Sequence, residues 1–279
     1  MFQNVLGPDG RMHLERQFGN QRIDLTTGGV EGGAPGGGSA GADSAIVQTA
    51  IAKDAKDWTL GEQKAVAEDI AAKGEASPAF AKAKAAMDAG TEFSTKLTNG
   101  KTLEYRIVGI NHDDLADGSG KAGLTFEATN TVLGAQRMNA TVLNVGGWEK
   151  SELRSRLNSG DLWSLLPAEI QSKVKSVKKM TDNKGGGTAG TPSATTDKVF
   201  LLSTTEVYGD LQSDGVQYEF YKSKGVTTSN YSGASSSNRH WTRSVYPYNS
   251  ALFRSVYSDG GWSSNLAAGT RYVFPAFSF

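Results

Sequence analysis

Between Thr26 and Asp43 the chain reads TTGGVEGGAPGGGSAGAD, and eight of these residues are glycine. Glycine brings no side chain to bury and loses the most backbone freedom on folding, so such a stretch reads as a flexible linker. It divides the chain into an N-terminal arm, spanning 1–43 with its linker, and a long remainder that must build its own core. The arm carries Phe2, Val5, Leu6, Met12, Leu14, Phe18, Ile23 and Leu25, with no obvious core of its own. A sticky segment on a tether is expected to attach the protein to another chain.

Residues 44–90 read as short helices. Ser44 can cap AIVQTAIAKDAKDW, where Val47, Ile51 and Ala55 recur every four residues. Thr59 and Glu62 have capping-box spacing, Gly74 sits where a helix-ending residue is wanted, Ser77-Pro78 restarts a helix and Gly90 ends it. The apolar stripes are thin and rich in alanine, so these helices are expected to pack on something else or on copies of themselves.

From Thr91 the texture changes to short alternating runs. Asn99-Gly100 is a hairpin signal, LTFEAT reads as a strand, 149–158 as a helix with Leu153 and Leu157 on one face, and Pro167 as the start of another. GGGTAGTPSATT, 185–196, reads as a loop and KVFLLS, 198–203, as a buried strand. Residues 91–279 are therefore expected to form one α+β domain of short strands and long loops.

The bulk numbers exclude several functions. Lys plus Arg and Asp plus Glu are 29 each, which argues against a nucleic-acid binder driven by overall charge. The absence of cysteine removes disulfides, thiolate metal sites and cysteine nucleophiles. No signal-type apolar run opens the chain and none reaches membrane-spanning length, so membrane insertion is not expected. HDDLADGSGKAG, 112–123, fails the EF-hand template because Leu115 and Leu124 fall on ligand positions; Asp113, Asp114 and Asp117 could meet a cation in another geometry, or line a solvated turn. His13, His112 and His240 are the only histidines, and no nucleophile elbow or phosphate loop occurs. No catalytic residue, cofactor or metal is expected.

The C-terminal stretch is the most informative. Residues 229–272 contain 11 Ser, 5 Tyr and 4 Asn, with Trp241 and Trp262. Tyrosine and tryptophan give contact area at low entropic cost while Ser, Gly and Asn adapt their hydrogen bonds, the chemistry of an antibody paratope; Arg239, Arg243, Arg254 and Arg271 add hot-spot chemistry. Trp241, Phe253, Val256, Val273, Phe277 and Phe279 read as core. Tyr231, Asn238, His240, Tyr246, Tyr248, Asn249, Trp262, Asn265 and Tyr272 are expected to share one exposed ligand-binding face.

TLEYRIVGINHDDLADGSGKAGLTF, GGWEKSELRSRLNS, LWSLLPAEIQSKVKSV, DKVFLLSTTEVYG, DGVQYEFY, HWTRSV, YSDG and VFPAFSF occur in that order. Together they resemble a domain of unknown function common in bacteriophage and prophage structural proteins of gut Gram-positive bacteria, from about Thr91 to Phe279. The resemblance implies a C-type-lectin-like fold related to formylglycine-generating enzymes. The cysteine or metal chemistry of those enzymes is not carried over, nor are the Glu-Pro-Asn and Trp-Asn-Asp calcium motifs of lectins, which do not occur here. Some relatives are targets of diversity-generating retroelements, which rewrite a C-terminal variable region on a fixed frame; that frame would here be Trp241, Arg243, Ser244, Phe253, Val256, Ser258, Asp259, Gly260, Val273, Pro275 and Phe277. Tyr272 stands where relatives often have glycine. The implied role is a virion protein of the phage tail, made in the bacterial cytoplasm, that binds a protein or glycan receptor on the host. Its arm would contact other virion proteins, and it would form homo-oligomers without binding nucleic acid. The alternatives are a capsid or tail decoration protein without a receptor and a cell-wall hydrolase.

Overall fold

The computed structural model describes residues 44–279 in full and, within 1–43, the backbone of four strands. These strands belong to a compact unit of their own, Met1–Ala42. They are β1 (Phe2–Leu6), β2 (Met12–Phe18), β3 (Gln21–Asp24) and β4 (Val30–Glu31), paired antiparallel in chain order. The described strands of the arm form a β-meander; Met12, Leu14 and Phe18 carry the period-two pattern that favours a strand. The expected linker lies outside the described residues except at Val30–Glu31, which pairs with Ile23 and Arg22.

Asp43–Phe279 is the second unit. It begins with α1 (Ala45–Ile51), α2 (Leu60–Lys73) and α3 (Phe80–Ala89). The Ser44 hydroxyl accepts from the Val47 N–H, and Thr59 and Glu62 cap each other reciprocally. Gly90 closes α3 in the left-handed region. The third helix starts at Phe80, two residues beyond Pro78, because Ser77 forms a turn whose hydroxyl donates to Asp69 and accepts from the Ala79 N–H. The alanine-rich faces permit close packing: a Cβ on Gly123 would lie 1.8 Å from the Ala67 carbonyl oxygen, so the backbone of α2 rests directly on the sheet. Val66, Ile70, Ala83 and Met87 are buried in the same core as the strands.

The strands that follow are β5 (Glu92–Lys96), β6 (Thr102–Ile110) and β7 (Leu124–Ala128), then β8 (Ala135–Gln136). Asn99-Gly100 lies in the β5–β6 turn, with Gly100 at φ +81° and the Asn99 carboxamide oxygen accepting from the Lys101 N–H. Next come α4 (Glu152–Asn158), α5 (Asp161–Ser164) and α6 (Ala168–Gln171), followed by the hairpin of β9 (Val177–Thr181) and β10 (Ser193–Asp197). The last four residues of the expected 185–196 loop are therefore strand, and KVFLLS contributes only the two-residue β11 (Val199–Phe200). Two further short helices are α7 (Thr204–Tyr208) and α8 (Glu219–Ser223). The chain ends with β12 (His240–Val245), β13 (Leu252–Val256), β14 (Trp262–Leu266), β15 (Arg271–Tyr272) and β16 (Ala276–Ser278).

The architecture is mixed α and β with several sheets and short helices. The main sheet has the order β11-β16-β7-β6-β5 and is antiparallel throughout. Its aromatic core stacks Phe93, Tyr105, Phe126 and Phe277 at ring separations of 5.3–5.9 Å, spacing at which edge-to-face and offset pairs attract. The second sheet has the order β14-β13-β12-β15-β8, and only its β12–β15 pair is parallel. Among the described residues, no helix is long and apolar enough to cross a membrane.

Candidate binding surface

The second sheet is anchored by a buried ionic network. Arg243, on β12, is 0% exposed. Its guanidinium donates to both carboxylate oxygens of Glu206, to the Thr181 hydroxyl and to the carbonyls of Leu201, Met180 and Asp214. Glu206, placed by a capping box with Ser203 at the start of α7, also pairs with Lys179 at 2.6 Å, and Lys179 reaches Asp113 at 2.6 Å. Burial alone would raise both carboxyls, but Lys179 and His112 draw Asp113 down to about 2, while Arg243 and Lys179 lower Glu206. Asp214 accepts from Thr205 and Ser244, and burial raises its pKa.

The nine expected site residues do not share one face. Residues opposite each other in a ladder lie on the same side and neighbours along a strand alternate. The β13–β14 register pairs Arg254 with Ser264 and Val256 with Trp262, and between these it pairs Ser255 with Ser263 and Phe253 with Asn265. Trp262 and Asn265 therefore point to opposite sides. Asn265 is buried, donating to Ser255 and accepting from Arg271. His240 is also buried, stacked 4.5 Å from Phe274, and burial draws its pKa down to about 4. These two belong to the scaffold: Asn265 is the one buried residue of β14, and His240 lies in β12, where every residue is buried. Asn238 and Tyr272 are half-buried, with Tyr272 in β15 between β12 and β8. Tyr231 is partly exposed, and its ring lies beside Gly261 in the β13–β14 turn.

The rest converge. Tyr246, Tyr248 and Asn249 lie in the β12–β13 connection, closed by the Tyr246 N–H to the Leu252 carbonyl. Tyr248 is 74% exposed and Trp262 41%, while Tyr246 is half-buried and lies edge-on to Tyr248 at 6.0 Å. Between Tyr246 and Trp262 sits Arg254, its guanidinium carbon 4.4 Å from one ring centre and 5.3 Å from the other. Tyr248, Pro247 and Arg254 form one wall of a cleft of about 290 Å³; Leu211, Gln212 and Asp214 form another, and Asp182, Gly190 and Pro192 a third. Asn144 ties the walls together: its amide donates to the carbonyls of Asn249 and Leu252 and its oxygen accepts from the Gly186 N–H. Asp182 holds the glycine-rich loop by accepting from the N–H groups of Lys184 and Gly190.

Other clefts lie away from the C-terminal aromatics. One of about 280 Å³ over Asp113 and Lys179 is lined by groups already paired: Lys179 with Asp113 and Glu206, Lys121 with Asp114, His112 with Glu219. A groove of about 480 Å³ between α3 and α8 has apolar walls of Phe80, Met87 and Ile110. The acidic loop does not gather its carboxylates: Asp113 points into the network, Asp114 pairs with Lys121 and Asp117 accepts from the Ser119 N–H and hydroxyl within its own turn. Among the described residues no group of three His, Cys, Asp or Glu side chains is arranged to hold a metal.

Arg254 stands in LFRSV, where strand alternation opposes it to Phe253 and Ser255; that pattern is the local signal for its role. For Glu206 the local signal is Ser203-Thr-Thr-Glu206, a capping-box spacing.

A family described as a domain of unknown function, DUF6273, matches residues 122–279. No curated protein matches this chain, and neither does any solved structure.

Proposed function

This chain belongs to the DUF6273 family, and we propose that it is a phage virion protein of the tail that adheres to a receptor on the host cell. The observation that carries the reading is Tyr248, 74% exposed on one wall of a cleft, with Tyr246 edge-on to it and Trp262, 41% exposed, on the other side of Arg254. Aromatic groups placed in water beside a concave, well-anchored surface are what interface hot spots use. The setting in a phage particle is supported by the ordered motifs of 91–279. A C-type-lectin-like fold is the reading we favour for this domain: short-stranded sheets carrying long loops, with the last strand returned into the main sheet, support it. Residues 1–43 would attach the protein to the particle or to sister subunits. The exposed loop positions would tolerate diversification while Trp241, Arg243 and Phe253, all buried, hold the frame.

The test is adsorption of the purified protein to host cells, compared with a Tyr248→Ala/Trp262→Ala variant whose melting temperature matches the parent. Loss of adsorption is expected. Retained adsorption would overturn this assignment of the surface, and even scatter over the phage head without cell binding would favour the decoration role.

A further inference from the structure

The surface assigned to binding carries a charge asymmetry that the whole chain lacks. From Ser229 to Phe279 there are four arginines, no lysine and one acid, Asp259. Arg243 is paired with Glu206. Among the described residues the other arginine ion pairs are made by Arg106, Arg154 and Arg156, so Arg239, Arg254 and Arg271 have none.

Arg254 is the most telling of the three. It is 7% exposed, and a charge withdrawn from water without an opposite charge is unfavourable. A guanidinium has five N–H donors. Arg254 makes two hydrogen bonds, Nε to Gln212 and Nη1 to Ser264, both at a long 3.3 Å. Its Nη2 has no protein acceptor and is not among the buried polar atoms sealed from solvent. The flanking rings of Tyr246 and Trp262 hold the cation but do not neutralise it. Two carboxyls share the cleft, yet Asp182 is engaged by backbone N–H groups and Asp214 by two hydroxyls; neither pairs with Arg254. A planar fork with unused donors, fixed between two rings at the edge of a cleft, matches a carboxylate or phosphate group.

We propose that Arg254 binds an anionic group of the ligand, and that the ligand is an anionic surface polymer bearing carboxylates or phosphodiesters. This rests on the reading of this surface as the binding surface. A cleft of about 290 Å³ suits one small unit of such a polymer rather than a protein element.

The full chain is titrated calorimetrically with poly(glycerol phosphate), polygalacturonate and neutral dextran. Binding to at least one polyanion and none to dextran is expected. Arg254→Gln should weaken that binding by about tenfold or more; Arg254→Lys, which keeps the charge and stem but not the fork, should recover part of it. Binding to the phosphate polymer alone identifies the phosphodiester source, and binding to polygalacturonate alone the carboxylate source. Unchanged affinity in both variants, or no binding to either polyanion, overturns the proposal. If polyanion binding is absent while Tyr248→Ala/Trp262→Ala still abolishes cell adsorption, the surface assignment survives and the anion assignment falls. Cell adsorption abolished by protease treatment of the cells would make the ligand a protein and overturn the polymer class.

Discussion

Arg243 and Arg254 stand on adjacent, paired strands of one sheet, and both are almost wholly removed from solvent. Arg243 is saturated: two contacts to Glu206, one hydroxyl and three carbonyls occupy its guanidinium. Arg254 has two long hydrogen bonds to uncharged partners and two aromatic walls. At the first site burial is outweighed by pairing, so the guanidinium is held more firmly protonated than usual; at the second burial prevails and lowers its pKa. One arginine is satisfied by the fold and holds the sheet in place. The other keeps donors that the fold does not use.

The largest expected effect comes from breaking the saturated site. Glu206→Ala strands Arg243 and Lys179 without a shared carboxylate and should cost about 3–5 kcal/mol of stability, measured by urea unfolding. A smaller loss than 1 kcal/mol would mean that the network holds nothing together. Protonation probes the same sheet from within. His240 is neutral in the fold, with a pKa near 4 against 6.5 ordinarily, so the unfolded chain binds the extra proton between those values. Its contribution is complete above pH 6.5 and is lost as pH falls towards 4, by up to about 3 kcal/mol. The melting temperature of the parent should fall over that window more steeply than that of His240→Phe. Next, Arg254→Met should be neutral or stabilising by up to about 1 kcal/mol, since it removes a charge whose burial outweighs its attraction to Tyr246 and Asp214; marked destabilisation would erase the distinction between the two arginines. Smallest of all, Tyr248→Ala and Trp262→Ala should each change stability by about 0.5 kcal/mol or less while removing adsorption to cells.

Much of the secondary structure was legible because its signals are local. Ser44, Thr59 with Glu62, and Gly90 are caps that act within one turn, and all three do so. Leu153 and Leu157 are buried on one face of α4 as their spacing predicts. α7 and α8 have five residues each, too short for a 3.6-residue period to declare itself. The strands of the arm were not legible because they draw on pairing with one another rather than on a dense apolar run. In the proposed binding surface, Tyr246, Tyr248 and Trp262 could be picked out as aromatics among small polar residues, but the side to which Asn265 turns depends on the register between strands, and the burial of His240 on what packs over β12. The ionic network was hidden for a further reason. Asp113, Lys179, Glu206 and Arg243 come from four separate segments, and nothing near any one of them in sequence announces the others.

The position of β16 bears on how such a molecule is made. It lies between β11 and β7, with Phe277 opposite both Val199 and Phe126, so the main sheet cannot be joined until the last strand arrives. Pairings between residues so distant in sequence form late and slowly, because the chain must first close long loops. During synthesis β12, β13 and β14 leave the ribosome before β16 does. For that interval a nascent chain presents Tyr246, Tyr248 and Trp262 on a sheet whose neighbour is still open, and its risk of misassembly is concentrated in the stretch proposed for recognition.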